Sequence, residues 1–156
     1  PPRKQVLAEL MLAGRQRGQA TLVPTDLSGV RAQLAALKRH EAIGILPDQV
    51  ATGGDGVWAP FFGRPAYTPT LVTSLQRKTN AAAFFIAAER LSWGRGYHLH
   101  VFPLDTPLPE DKVAAATLLN QGVEEVVRRF PAQYLWSYNR HKRPGGVPHP
   151  DDPPEA

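Results

Sequence analysis

Residues 44–65 read GILPDQVATGGDGVWAPFFGRP, and the fold turns on how this stretch is understood. The apolar run Ile43-Gly44-Ile45-Leu46 stops at Pro47-Asp48-Gln49, opens into a loop with Gly53, Gly54 and Gly56, and then meets Trp58, Phe61 and Phe62. A continuous apolar run of this length is typical of a parallel strand buried on both faces. In an open α/β sheet the carboxyl end of such a strand borders the ligand crevice, so Asp48 stands where a binding or orienting carboxylate would stand. The plainer alternative is a strand-end Asp that satisfies loop amides ahead of a surface loop.

The flanking sequence supplies helices and further strands. Residues 5–17 place Val6, Leu7, Leu10 and Met11 at helical spacing, with Arg15 and Arg17 in the last turn and Gly18 as the stop. Ala20–Val23 is a short strand candidate. Thr25 or Asp26 can cap a helix over 27–40 whose inner stripe is Leu27, Val30, Leu34 and Leu37. Ala42–Leu46 is the buried strand, and 47–57 a long loop. Tyr67–Lys78 reads as a helix, with Thr68 as a possible cap and Pro69 in the first turn. Ala81–Glu89 and Tyr97–Phe102 form a hairpin, in the second strand of which Tyr97, Leu99 and Val101 share one face and His98 and His100 the other. Residues 110–130 form a long amphipathic helix with Val113, Ala116, Leu119, Val123, Val126 and Val127 toward the core, and 131–140 a short strand or turn. The proline-rich residues 144–156 read as a disordered tail, leaving 1–143 as the domain. The expected fold class is therefore α/β: a layered, mixed-direction sheet flanked by helices, lacking its N-terminal part because no first strand precedes the opening helix.

Composition narrows the function classes. Of 156 residues 42% are apolar and 21% charged, which suits a globular domain with one sizeable core. The absence of cysteine rules out disulfides and thiolate metal sites. The net charge of +4 favours anionic partners, but the basic residues are scattered singly or in pairs. They are not concentrated on one element with interleaved aromatics, so a nucleic-acid partner is not expected and a phosphate- or membrane-facing surface fits at least as well.

Few stretches carry chemistry. Arg15 or Arg17 could hold a phosphate or an oxyanion through a planar, permanently charged fork, or merely complement a helix C-terminus. The one histidine followed five residues on by a carboxylate is His100, with Asp105; a proline between them ends the strand, and a catalytic dyad is not expected there. Walker A, G-x-S-x-G, G-x-G-x-x-G and the usual metal-ligand spacings are missing, and no metal or cofactor is implied. Arg140-His141-Lys142-Arg143 is a basic knot that reads as a solvated terminus, or else as a contact for an anionic membrane.

Read together, these blocks resemble a known family. The run GILPDQV…GGDGVWAPFFGRPAYTPTLV, the preceding AGRQRGQATLVPTDLSGVRAQLAALKRHEAIG, and the later ERLSWGRGYHLHVFPL and FPAQYLWSYNRHKRP are similar to the lipid A late acyltransferases, of the lysophospholipid acyltransferase superfamily, most nearly the β-proteobacterial type. The resemblance runs from about Arg3 to Pro144. It implies a glycerolipid acyltransferase-like fold and an enzyme at the cytoplasmic face of the inner membrane. Such an enzyme moves a fatty acyl chain from an acyl carrier protein thioester to a hydroxyacyl chain of a phosphorylated, Kdo-bearing glucosamine disaccharide. The family's activating His-x-x-x-x-Asp/Glu motif and its membrane anchor are expected ahead of Pro1, so the chain looks like a C-terminal portion, inactive by itself. By position, Arg15 or Arg17 and Asp48 are the implied catalytic residues, the carboxylate ordering the arginines. Gln49, Trp58, Phe61 and Phe62 are the implied substrate contacts at the mouth of an acyl groove. The alternative is a non-catalytic basic module that binds acyl chains or a membrane surface.

Overall fold

The computed structural model describes residues 20–51 and 54–152. The chain divides into two units, Pro1–Ile43 and Gly44–Ala156. In the first, helix α1 spans Leu27–Lys38. Its cap is Asp26, whose carboxylate accepts the N–H groups of Ser28 (2.8 Å) and Gly29 (3.2 Å). The Ser28 hydroxyl also donates to it, and these bonds, the hydroxyl's first, hold the Asp26 carboxyl below its ordinary range. The expected helix is thus present with one of its two candidate caps. Gly29 is required because Pro24 O lies 1.8 Å from where a Cβ would stand. The strand expected at Ala20–Val23 is not formed.

The second unit holds six regular elements: β1 (Gly56–Phe61), β2 (Arg64–Pro69), α2 (Leu71–Thr79), β3 (Phe84–Arg90), β4 (Tyr97–Pro103) and α3 (Lys112–Arg129). Among the described residues the architecture is mixed α and β, with three helices and two separate antiparallel sheets, β1–β2 and β3–β4. Ala42–Leu46 is not a strand; Leu46 is 65% exposed. An apolar run becomes a strand only where a neighbour takes its backbone hydrogen bonds, and no described residue does so here.

The hairpin β1–β2 was not legible. Its turn is Phe62-Gly63, both with positive φ (47° and 73°), the backbone twist that suits a two-residue connection. The two strands hold three prolines, and each strand of a two-stranded sheet has an open edge that tolerates a missing N–H. Pro60 and Pro65 face each other in register, as do Trp58 and Tyr67. Because Pro69 ends β2, the helix that follows begins at Leu71, later than expected, with Thr70 at the cap position.

The β3–β4 hairpin appears where its alternation placed it, pairing Glu89 with His98 and Ala87 with His100. The first strand, whose apolar composition reads as buried, is exposed on one face: Phe84 and Ile86 are 56% and 62% exposed, as are Leu99 (59%) and Val101 (53%) on the second, whereas Phe85 and Phe102 lie on the other, half-buried face.

Helix α3, capped by Asp111 through a 2.8 Å bond from Ala114 N–H, is the centre of the unit. Val123 and Val127 pack with Phe61 and Ala66 of the first hairpin and with Phe85 of the second, while Ala115 and Leu119 join Leu108 and Val72. Of the expected stripe Val113 stays 45% exposed, and Asn120 takes an inward place instead. Gly122 costs a helix interior about 1 kcal/mol, and the reason it stands there is Phe85, whose ring lies 2.3 Å from the site of a Cβ. Gly122→Val should therefore push the second hairpin off the helix and lower unfolding free energy by about 1–3 kcal/mol, read from urea titration. An unchanged midpoint would show that Phe85 is free to yield.

No described helix is long and apolar enough to cross a membrane.

Candidate functional site

The site is built by the segment that follows the expected strand. After Asp48 and Gln49 the chain is pinned at two successive residues. Val50 N–H donates to Tyr138 Oη at 2.9 Å, and Ala51 N–H to Tyr67 O at 3.4 Å. Both side chains are buried against Tyr67. This anchoring fixes Asp48, itself half-buried, two residues ahead of a rigid point; Gln49 is exposed.

Asp48 is within electrostatic reach of Arg140, with no ion pair between them. Only 3% of Arg140 is exposed. Its guanidinium donates to Tyr67 O (3.0 Å), Thr68 Oγ1 (2.8 Å) and Asn120 Oδ1 (3.2 Å), and lies 5.4 Å from the centre of the Phe61 ring. Asn120 extends the network, donating to Pro60 O at 2.9 Å and Thr68 Oγ1 at 3.0 Å. One side chain thus ties β2, α3 and the C-terminal segment together.

The electrostatics are unusual. Burial lowers the Arg140 pKa, while Tyr134, Tyr138 and, least, the Asp48 carboxylate act in the opposite sense and favour the cation. A guanidinium stays charged regardless, so the unit holds a buried positive charge. Its hydrogen bonds run to neutral oxygens, and among the described residues it forms no ion pair. Among the described residues its Nε has no partner, nor has the buried Tyr134 Oη. Burial raises the Tyr134 pKa, and the negative charge of Asp48 adds to the effect. Asp48, Tyr134, Tyr138 and Arg140 therefore share one electrostatic environment.

Arg15 and Arg17, expected beside Asp48, lie outside the described residues. The basic knot at 140–143 is not the solvated terminus that its composition suggests. Arg140 is interior, His141 Nδ1 lies 3.1 Å from Pro65 O, and among the described residues only the exposed Arg143 of this knot turns to an acidic partner, Asp152. A run of four polar residues hides which of them points inward; the only sequence signal was its place just after the aromatic stretch Tyr134–Tyr138.

The three expected groove aromatics fall in two places. Phe61 is 2% exposed and belongs to the core around α3. Phe62, half-buried in the turn, meets the Phe61 ring at 4.8 Å, carries the Arg128 guanidinium 5.0 Å over its face, and donates its N–H to Glu124 Oε1 at 2.7 Å. Trp58 sits instead with Tyr67 (5.2 Å) and His149 (4.5 Å), its Nε1 donating to Pro148 O at 2.7 Å. Residues 144–152, read from their prolines as a tail, make defined contacts through these bonds and through Val147, which packs beside Val50 and Tyr67. His100 Nε2 lies 2.9 Å from Glu89 Oε2, so the carboxylate it meets is across the hairpin, and Asp105 is exposed.

The chain is similar to a defined set of enzymes. A family model described as bacterial lipid A biosynthesis acyltransferase matches residues 1–143. The lipid A biosynthesis palmitoleoyltransferase of Escherichia coli (strain K12) is 31% identical over 148 residues, 94% of this chain and 48% of that protein. The lipid A biosynthesis acyltransferase of Shigella flexneri matches to the same extent. The lipid A biosynthesis lauroyltransferase of Escherichia coli (strain K12) is 30% identical over 138 residues, 86% of this chain and 44% of that protein. The chain thus spans about half the length of the curated relatives it matches.

Proposed function

Because the chain belongs to the family of bacterial lipid A biosynthesis acyltransferases, we propose that it serves in an enzyme that transfers a fatty acyl chain from an acyl carrier protein thioester to a hydroxyl of a lipid A precursor. The observation that carries this reading is the match across residues 1–143, which takes in both Asp48 and Arg140. The precursor, a phosphorylated glucosamine lipid, is anionic, and the net charge of +4 suits it and an anionic membrane surface. On this reading the enzyme works at the cytoplasmic face of the inner membrane, and the two hairpins and α3 belong to a glycerolipid acyltransferase-like layered fold.

Chemically, transfer needs a base to take the proton of the acceptor hydroxyl, and groups that stabilise the oxyanion formed when that oxygen attacks the thioester carbon. Asp48 is the orienting carboxylate of this reading and Arg15 or Arg17 the cationic groups it positions. Arg140 takes a structural part, tying β2, α3 and the C-terminal segment together and adding a positive charge that Asp48 feels. Gln49 offers amide hydrogen bonds to the polar end of the substrate. Trp58 and Phe62 supply apolar walls, with Phe61 backing Phe62, for a chain whose methylenes each contribute ~0.8 kcal/mol on burial. His100 meets Glu89 and not Asp105, so the family's His-x-x-x-x-Asp pairing is not formed at residues 100–105, and residues 1–156 alone should not turn over the thioester.

Replacing the matched segment of the Escherichia coli palmitoleoyltransferase with this chain tests the reading in cells that lack that enzyme. Lipid A mass spectra should show the missing acyl chain restored. A chimera that accumulates, is folded, and leaves lipid A unchanged would contradict it, as would thioester turnover by residues 1–156 alone.

A further inference from the structure

The inner face of the β3–β4 hairpin brings together three side chains that the acyl-transfer reading does not use. His98 and His100, two apart on one strand, project from the same face. Glu89 stands directly opposite His98 in the antiparallel register, where facing Cβ atoms are about 5 Å apart. Each residue contributes one donor atom, and the three atoms lie within 4.8 Å of one another. The imidazole rings are 4.2 Å apart between centroids, and Glu89 Oε2 is 2.9 Å from His100 Nε2.

We propose that Glu89, His98 and His100 form a binding site for a divalent transition metal ion, zinc being the best match. Two imidazole nitrogens and one carboxylate oxygen are the donor set that Zn²⁺ accepts, with a further position open to water. Ca²⁺ and Mg²⁺ are disfavoured, because they require oxygen donors nearly throughout. A contraction of the three donors onto one ion needs only side-chain rotation, since all three project from one hairpin whose backbone is already paired. The ion displaces the proton that His100 and Glu89 now share and bridges the two strands. Glu89 also borders a cavity of about 170 Å³ between β3 and the end of α3, lined by Ala87, Val126, Phe130 and Tyr134. The fourth position therefore has room for water on that side. Phe130, 4.6 Å from the His100 ring, fixes the ring from the helix side.

The site is tested on the untagged chain, titrated with Co²⁺ and then Zn²⁺ while the visible absorption of cobalt is followed. One strongly absorbing, four-coordinate cobalt per chain, displaced by zinc, is expected. His98→Gln should weaken binding at least roughly tenfold, and His98→Gln/His100→Gln should abolish it, with His40, His141 and His149 left in place. His98 is exposed, so its replacement leaves folding intact; Glu89→Gln, of the same size, gives an independent loss of affinity. Absence of saturable binding, or binding that persists unchanged in the double variant, would overturn the proposal.

Discussion

Arg140→Met is expected to lower the unfolding free energy of the chain by about 3 kcal/mol, one of the two largest effects anticipated. Methionine keeps a long apolar stem but brings no donor. Tyr67 O, Thr68 Oγ1 and Asn120 Oδ1 would each lose the bond they now accept from the guanidinium, at roughly 1 kcal/mol for each buried hydrogen bond removed. Part of that loss is returned because a buried charge no longer has to be desolvated. Arg140→Lys separates the two contributions: it keeps the charge but offers a single point of donation in place of a fork, so it should fall between wild type and Met. Urea unfolding measures both. A loss below about 1 kcal/mol in Arg140→Met would show that the network is replaceable, and the assignment of Arg140 as the tie between β2, α3 and the C-terminal segment would be withdrawn.

Asp48→Asn should act in the opposite way, sparing stability and removing activity. Among the described residues the Asp48 carboxylate makes no hydrogen bond, and Asn has the same shape, so the melting midpoint should barely move. In the chimera with the palmitoleoyltransferase, kcat should fall at least roughly a hundredfold with little change in KM, equivalent to about 2.7 kcal/mol of transition-state stabilisation. A carboxylate that orders cationic groups matters most when charge develops on the thioester oxygen. Should kcat stay within a few-fold of the parent chimera, Asp48 is only a turn residue that sits near Arg140.

How much of this was legible in the chain follows from the range of the forces involved. Helices α1 and α3 were readable because capping and the 3.6-residue period are local: Asp26 was one of two candidate caps for the first, and the apolar stripe marked the second. The β3–β4 hairpin was readable from alternation, but which face would be buried was not, since that depends on where α3 lies. The β1–β2 hairpin was missed because residues 47–57 read as a loop and Tyr67–Lys78 as a helix; Pro60, Pro65 and Pro69 are accommodated in the strands because a two-stranded sheet has open edges. Ala42–Leu46 shows the converse error, an apolar run with strand composition and no neighbour to pair with.

The site divides in the same way. Asp48 is singled out by its place after an apolar run, and its catalytic part is the proposal made above. Arg140 was obscured by three polar neighbours, although burial makes it the most constrained of them. The pairing of His98 with His100 on one face was evident, whereas Glu89 joins them only through a cross-strand register that the loop between the strands conceals. The family resemblance, by contrast, spread over many blocks, and the match over residues 1–143 bears it out.

The central claim is the proposal that this chain, which belongs to the family of bacterial lipid A biosynthesis acyltransferases, supplies to such an enzyme the segment it matches. Purified chimera, incubated with radiolabelled acyl carrier protein thioester and a lipid A precursor, tests it most directly. The account predicts label in a precursor one acyl chain heavier, and none when residues 1–156 are supplied alone. A folded chimera that leaves all label on the carrier protein, while the parent palmitoleoyltransferase transfers it, would contradict the claim.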